Sequence, residues 1–390
     1  MKKLVLLTNI LSPYRRAFYQ CMYERGKQKE IDFCVLLMND TESNRQWKYE
    51  EFQGEYTHLL KRKVFFGKKD SLYINTDLEE WLEHIRPDLL VMAGSYTFLP
   101  VWQAKRWAKK RGKCPLYFWS ESHLDELRDY NQLTLTIRDL IRKKFYSHMD
   151  GFWYPGEKSK ELIKKYASAN ADFIQVPNLI DNQKFADVAD KFAGKKRELR
   201  EKYELSADKK IFFSPMRLTK VKGMLPFLEI AAAVEEKDRM QIVVAGEGEQ
   251  EAEIRFCAQE NNVDLKLVGY RNGEEIAELM SCADCFLMPS LSDPNPLSCI
   301  EALWCRKPLL VSRHVGNAPE VIRTGENGFV FSYEDKVGAV NSVKELLSKP
   351  QEWYQNAGDI SHRIAEEYFD LFTNTDRILA QVKNISVAGK

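Results

Sequence analysis

No stretch of the sequence approaches the roughly 18 consecutive apolar residues of a membrane-spanning helix, which excludes a bundle of transmembrane helices. The eight cysteines (21, 34, 114, 257, 282, 285, 299 and 305) form no paired CxxC motifs and have no histidines at zinc-binding spacing, which argues against a structural zinc site. Cys282 and Cys285 make a single CxxC that falls across a helix end and the following strand. Both are expected as buried thiols, and unpaired thiols fit a reducing compartment. The opening MKKLVLLTNILSPYRR has the basic start of a signal peptide but lacks the rest. Its apolar part is short, is interrupted by Asn9, and runs into Pro13, Arg15 and Arg16 without a small-residue cleavage site, so it reads as a buried first strand.

What is present describes a globular chain. Its 390 residues, 44% hydrophobic and 29% charged, suffice for two domains with cores of their own. The net charge of +1 hides an asymmetry. Residues 1–180 hold 30 Lys or Arg against 23 Asp or Glu, and residues 181–390 hold 28 against 34. A basic half joined to an acidic half implies that the N-terminal part meets an anionic partner.

The densest chemistry lies between Ser290 and Gly328, SLSDPNPLSCIEALWCRKPLLVSRHVGNAPEVIRTGENG. An apolar run, CFLMPS, gives way to a Pro-rich turn holding Ser292, Asp293 and Asn295, and IEALWC then reads as a helix. A strand running into a helix N-terminus is an anion site, because the free N–H groups of the first turn and the positive end of the dipole face the crevice. Asp293 in that turn is either a cap or a ligand-facing acid. Glu301, eight residues on, lies among residues that pack against a sheet, where an unpaired carboxylate is costly to bury. Donating hydroxyls, such as those of a ribose, would satisfy it.

Elsewhere the pattern alternates strand and helix. TLTIRDLIRKKFYSHMD is an amphipathic basic helix with Ile137, Leu140, Ile141 and Phe145 on one side, expected to pack within the N-terminal domain. KRKVFFGKK places basic residues around Val64, Phe65 and Phe66, the composition of a peripheral membrane contact or of a solvated hairpin. Two helices are expected after Asp335.

Two acids eight apart across a strand-to-helix turn, an EAL helix, a KPLLVS strand, a Gly-x-x-x-Glu turn ending at Glu320 and an ENGF loop together resemble the C-terminal nucleotide-sugar site of retaining glycosyltransferases. The match is to glycosyltransferase family 4, of GT-B architecture. The resemblance implies an α/β fold of two Rossmann-like, doubly wound parallel-sheet domains facing a cleft. An acceptor-binding domain would span 1–178, a nucleotide-sugar domain 179–365, and a helix over 366–390 would return to the first. Both acids are normally glutamate in the family, so Asp293 departs from the pattern by one methylene.

The resemblance also implies roles. Arg217 and Lys222, five apart just past IFFSPM, match the family's diphosphate clamp and, with the amides near Leu297 and Ser298, would stabilise the leaving diphosphate. Glu301 would hold the ribose and Asp293 the sugar. Gly246 would form the lower wall of the nucleotide pocket, and Tyr270 and Arg271 would bracket the base, Tyr270 by stacking. Either His123 or Glu121, in WSESH, is the counterpart of a histidine that contacts the donor sugar. Where many members carry a Gly-rich loop after the first strand, this chain has NILSPYR. There Ser12 or Arg15 would meet phosphate or acceptor, or the turn is rigid with Arg15 on the surface.

The implied activity is retaining transfer of a sugar from a UDP- or GDP-sugar to a hydroxyl of a glycan or lipid-linked acceptor, in bacterial surface polysaccharide or glycoconjugate synthesis. No Asp-x-Asp motif is present, in keeping with a metal-independent reaction that needs no cofactor besides the donor. The place implied is the cytoplasm, with peripheral contact to anionic membrane through the basic N-terminal domain and no nucleic-acid partner. The alternatives are a GT-B epimerase or phosphorylase, and a non-catalytic nucleotide-sugar-binding module, which Asp293 and the missing Gly-rich loop would favour.

Overall fold

The structure is a computed structural model that describes residues 1–41, 53–64, 73–112, 114–125 and 132–386. The chain divides into two compact units. One holds Met1–Ser122, Asp129–Ile180 and Leu371–Lys390; the other holds His123–Arg128 and Asp181–Asp370.

The first unit carries strands β1 (Lys2–Thr8), β2 (Ile31–Leu37), β3 (Thr57–Leu59), β4 (Arg62–Val64), β5 (Tyr73–Asn75), β6 (Leu89–Ala93), β7 (Leu116–Trp119), β8 (Gly151–Tyr154) and β9 (Asp172–Gln175). Seven of them form a parallel sheet in the order β3-β2-β1-β6-β7-β8-β9, and β4 pairs with β5 antiparallel. Runs such as LVLL in β1 and LLVMA in β6 are apolar throughout because helices cover both faces of a parallel sheet. Alternation along β1 makes this concrete: Leu4 and Leu6 enter one buried cluster, Val5 and Leu7 the other.

The connecting helices are α1 (Pro13–Gln28), α2 (Leu78–Ile85), α3 (Leu99–Arg111), α4 (Gln132–Tyr146) and α5 (Glu157–Lys164). The α4 helix departs from expectation. Phe145 and Tyr146 are buried, packed by edge and tilted contacts on Trp102, Phe118 and Phe152. Ile137, Leu140 and Ile141, by contrast, are 49%, 64% and 37% exposed. The aromatic end anchors the helix and turns the aliphatic stripe away from the core. Phe65 and Phe66 lie outside the described residues.

The second unit carries α6 (Asn182–Lys191), α7 (Lys196–Lys202), β10 (Lys210–Pro215), α8 (Met224–Ala232), β11 (Met240–Ala245), α9 (Glu251–Glu260), β12 (Leu265–Gly269), α10 (Gly273–Cys282), β13 (Cys285–Met288), α11 (Leu297–Trp304), β14 (Leu309–Ser312), α12 (Ala318–Val321), β15 (Gly328–Phe331), α13 (Lys336–Ser348) and α14 (Gln351–Phe369). Its parallel sheet runs β12-β11-β10-β13-β14-β15. Strand order reverses between β10 and β13. In an open α/β sheet the crevice at that reversal, beyond the carboxyl ends of the strands, is where ligands bind.

A buried ion pair fastens α7 beneath this sheet. Arg200 Nη2 lies 2.6 Å from Asp284 Oδ2, with the side chains 8% and 3% exposed. Asp284 also accepts from Lys196 Nζ (2.5 Å) and the Ile211 amide (2.7 Å). Burial pushes its carboxyl up, but Lys196 and Arg200 more than offset this and hold it below the usual range. Cys282 and Cys285 are buried free thiols at the end of α10 and the start of β13, as their spacing predicts.

After Asp335 the described residues form three helices rather than two. Asp370 takes an extended conformation (φ −64°, ψ 125°) that ends α14, and α15 (Leu371–Asn384) begins at the next residue. The last helix belongs to the first unit, where Leu371, Ile378, Leu379 and Val382 share a buried cluster with β1 and α1.

Candidate functional site

The loops that follow β10 and β13 meet at the strand-order reversal of the second unit. Their backbones are joined directly: the Val221 carbonyl accepts from the Leu291 amide (2.9 Å) and the Ser292 amide (3.3 Å). Lys222 ends a short 3-10 turn in the first loop, and Asp293 sits in the Pro-rich turn of the second. The two side chains pair, with Lys222 Nζ 2.5 Å from Asp293 Oδ2. Arg217, just past β10, is exposed; its carbonyl accepts from the Thr219 amide (3.0 Å), and its side chain makes no hydrogen bond or ion pair with any described residue.

Pro296 opens α11, and no side chain caps the helix N-terminus. No described group accepts from the Leu297 and Ser298 amides, and both residues are partly exposed. In the second turn of the helix, Glu301 is partly buried between Ile300 and Ala302, which are fully buried. Its carboxyl makes no hydrogen bond to any described residue. Burial pushes it up to about 7, against a small opposing pull from Lys184. A carboxylate in that state is stabilised by any ligand that brings hydroxyl donors.

Gly246 supports the loop from below. A Cβ there would lie 1.9 Å from the Met216 carbonyl, and the Met216 amide donates to Ala245 O (2.9 Å). The glycine is needed because the two loop backbones touch, which fixes the segment leading into Arg217.

A third segment closes against the Asp293 turn. The Gly316 amide donates to Asp293 O (2.8 Å), and Asn317 Nδ2 donates to Pro296 O (3.1 Å). A Cβ on Gly316 would lie 1.7 Å from Pro294 O and 3.0 Å from His123 Cδ2, so this glycine makes room for the turn and for His123 together. His123 is 5% exposed and belongs to the second unit. Its segment is held by His314, 2% exposed, whose Nδ1 lies 2.7 Å from the Asp125 carbonyl oxygen and whose Nε2 lies 3.2 Å from Glu334 Oε2. His314 stacks on Tyr333, whose hydroxyl donates to the Pro289 carbonyl.

The structure thus gathers Lys222, Asp293, His123 and the start of α11 around one turn, with Glu301 farther along that helix. Two other candidates of this unit lie apart from that turn. Tyr270 is 68% exposed at the end of β12, the edge strand two places from β10. Arg271 pairs with Glu275 (3.3 Å) in the first turn of α10, beside the Asn272 capping box. In the first unit, Glu121 pairs with Arg15, whose guanidinium lies 4.0 Å from the centroid of the Trp119 ring. Ser12 precedes α1 and makes no side-chain cap bond. Gly316 opens the Gly-x-x-x-Glu turn that the sequence marks, whereas no motif points to His314 or Asn317, although the run SRHVGN follows a buried strand and so falls at a strand end, where functional groups gather.

The family described as glycosyl transferases group 1 matches residues 195–362. N-acetyl-alpha-D-glucosaminyl L-malate synthase of Bacillus anthracis is 25% identical over 228 residues, 58% of this chain and 56% of that protein. The putative glycosyltransferase EpsD of Bacillus subtilis is 27% identical over 238 residues, 61% of this chain and 55% of its own. The chain therefore spans little more than half the length of these curated relatives. Among solved structures, sucrose-phosphate synthase of Thermosynechococcus elongatus superposes with a TM-score of 0.72 at 15% identity, covering 98% of each chain. Anabaena HepE, in complex with UDP-glucose, gives 0.70 at 15% identity, over 99% of this chain and all of the other. The fold is that of GT-B glycosyltransferases, with two parallel-sheet α/β domains. The similarity to the group 1 glycosyltransferases thus covers residues 195–362, within the second unit.

Proposed function

We propose that the chain is a retaining, metal-independent hexosyltransferase that moves a sugar from a nucleoside-diphosphate sugar to a hydroxyl of a glycan or lipid-linked acceptor. The observation that carries this reading is Glu301: a partly buried carboxyl, raised to about 7, with no described hydrogen-bond partner and in the same unit as two loop cations. A ribose supplies the hydroxyl pair such a group needs. The first turn of α11, Lys222 and Arg217 supply positive charge for the diphosphate as the bond to the anomeric carbon breaks and the bond to the acceptor oxygen forms. In this reading protein cations carry the charge that a metal would otherwise neutralise.

A complex of Anabaena HepE with UDP-glucose supports a uridine donor. Relatives in bacterial polysaccharide formation, such as the amylovoran biosynthesis glycosyltransferase AmsK of Erwinia amylovora, support a glycoconjugate acceptor. Peripheral association with the cytoplasmic membrane face belongs to the same reading.

Thermal shifts with UDP, GDP, ADP and their common sugars test it first. One nucleotide at about a hundred times its dissociation constant should add roughly 2.7 kcal/mol of stability to the native protein and much less to Glu301→Ala. No shift with any nucleotide would overturn the donor assignment. A shift with no release of free nucleotide under any acceptor would instead leave a binding module.

A further inference from the structure

The α4 helix presents a face that no described residue of its own unit covers. Leu133, Ile137, Leu140 and Ile141 are 71%, 49%, 64% and 37% exposed and recur at helical spacing along one stripe. Lys144 lies on the same stripe, with Lys143 at its flank, both exposed. The side opposite holds the buried anchors Phe145 and Tyr146. Four exposed aliphatic side chains on one face exceed the scattered apolar residues of an ordinary surface.

Charge selects the occupant. The helix has a single acid, Asp139, and it is turned aside to accept from the Tyr166 hydroxyl (2.9 Å). The α3 helix adds cations next to α4: Lys105 Nζ lies 5.4 Å from the centroid of the Phe145 ring, and Lys109 and Lys110 are exposed in the last turn of α3. Burial, with Lys144 and Lys109 near by, holds the Lys105 ammonium below the usual lysine range. A second copy of the chain would bring like charges face to face. A protein surface would have to be both apolar and acidic. An anionic bilayer offers an apolar layer beneath a negative surface, and basic amphipathic helices lie in that boundary.

We propose that α4 is a membrane-docking helix, with Leu133, Ile137, Leu140 and Ile141 entering the headgroup boundary of an anionic bilayer and Lys143, Lys144 and the α3 lysines meeting its phosphates. The proposal rests on the transferase reading for its purpose, since a lipid-linked acceptor must be reached at a membrane. Its test is independent of the donor site.

The full chain is floated with vesicles of phosphatidylcholine alone and of phosphatidylcholine mixed with phosphatidylglycerol. The native protein should bind the anionic vesicles, lose most binding in high salt, and ignore the neutral ones. Ile137→Ser with Leu140→Ser should weaken binding roughly tenfold or more, as should Lys143→Glu with Lys144→Glu. All four positions are exposed, so melting temperatures and the thermal shift with UDP should stay at native values. Absence of native binding to anionic vesicles would overturn the proposal. So would binding that the serine pair leaves intact, or concentration-dependent dimerisation that the same pair abolishes. Vesicle binding without any nucleotide shift would refute the donor assignment and leave the docking helix standing.

Discussion

Lys222 Nζ lies 2.5 Å from Asp293 Oδ2, with only 20% and 13% of the two side chains exposed, so the cation assigned to the diphosphate is already neutralised by the acid assigned to the sugar. An incoming diphosphate must share Lys222 or draw it away. Asp293→Asn should therefore tighten UDP binding, because the amide leaves Lys222 with its full charge, while lowering transfer if the carboxylate faces the sugar. Lys222→Met should weaken UDP binding by roughly 10- to 100-fold, the value of one charge-assisted bond. Calorimetric titration of both variants decides the point, and weaker binding in Asp293→Asn would show that the acid helps hold the nucleotide.

Glu301 makes the site sensitive to pH. Its carboxyl is raised to about 7, above the ordinary glutamate value it takes when unfolded, so the folded state holds its proton over a range where the unfolded state has lost it. The destabilisation is absent at pH 4, grows as pH rises, and is complete above about 7. Glu301→Gln should thus gain about 2 kcal/mol over the native protein at pH 8 and almost nothing at pH 4, measured by urea unfolding. Binding of UDP should strengthen from pH 6 to 8 in the native protein relative to Glu301→Gln. The difference between the two proteins carries the test, since the terminal phosphate titrates in the same range.

Gly316 has no room for a side chain. A Cβ 1.7 Å from the Pro294 carbonyl must displace backbone, and backbone on both sides is tied by the Gly316 to Asp293 and Asn317 to Pro296 hydrogen bonds. Gly316→Ala should cost about 1–3 kcal/mol. Transfer should fall by more than the loss of folded protein accounts for, because the turn that moves carries Asp293. Activity per folded molecule, with folding followed by circular dichroism, separates the two effects.

Asp284 is the electrostatic keystone beneath the second sheet. Asp284→Ala leaves Arg200 and Lys196 uncompensated, Arg200 in a buried position, and should cost about 3–5 kcal/mol. Because its carboxyl lies below the usual range, the stabilisation is present at neutral pH and fades as pH falls through the folded value. Native and variant stabilities should converge in acid, which denaturant melts at several pH values would show.

The second unit was legible because its strands are largely apolar and each is followed within two residues by a polar or glycine residue. IFFSPM before Arg217 and CFLMPS before Asp293 announced both loops of the site. Their partnership was not legible, since pairing Lys222 with Asp293 depends on strand order, which puts β13 rather than β12 beside β10. The tie between His314 and Asp125 joins residues 189 apart and leaves no local pattern. The α4 helix misled for a different reason: periodicity shows that a face is apolar and says nothing about what covers it. The break before α15 was hidden because Asp370 lacks the glycine or proline that usually marks one.

The last helix carries a consequence for how the protein is made. Lys2 Nζ donates to Val382 O across 380 positions, and Ile378, Leu379 and Val382 complete the cluster that begins with Leu4 and Leu6. A ribosome delivers β1 before the second unit and α15 after it, so the second unit can close while the first still waits for a piece of its own core. The unit that holds β1 is begun before the second unit and completed after it. During that interval a strip of β1 and α1 stands open to water and to chaperones, and a release-defective or truncated nascent chain would be caught there.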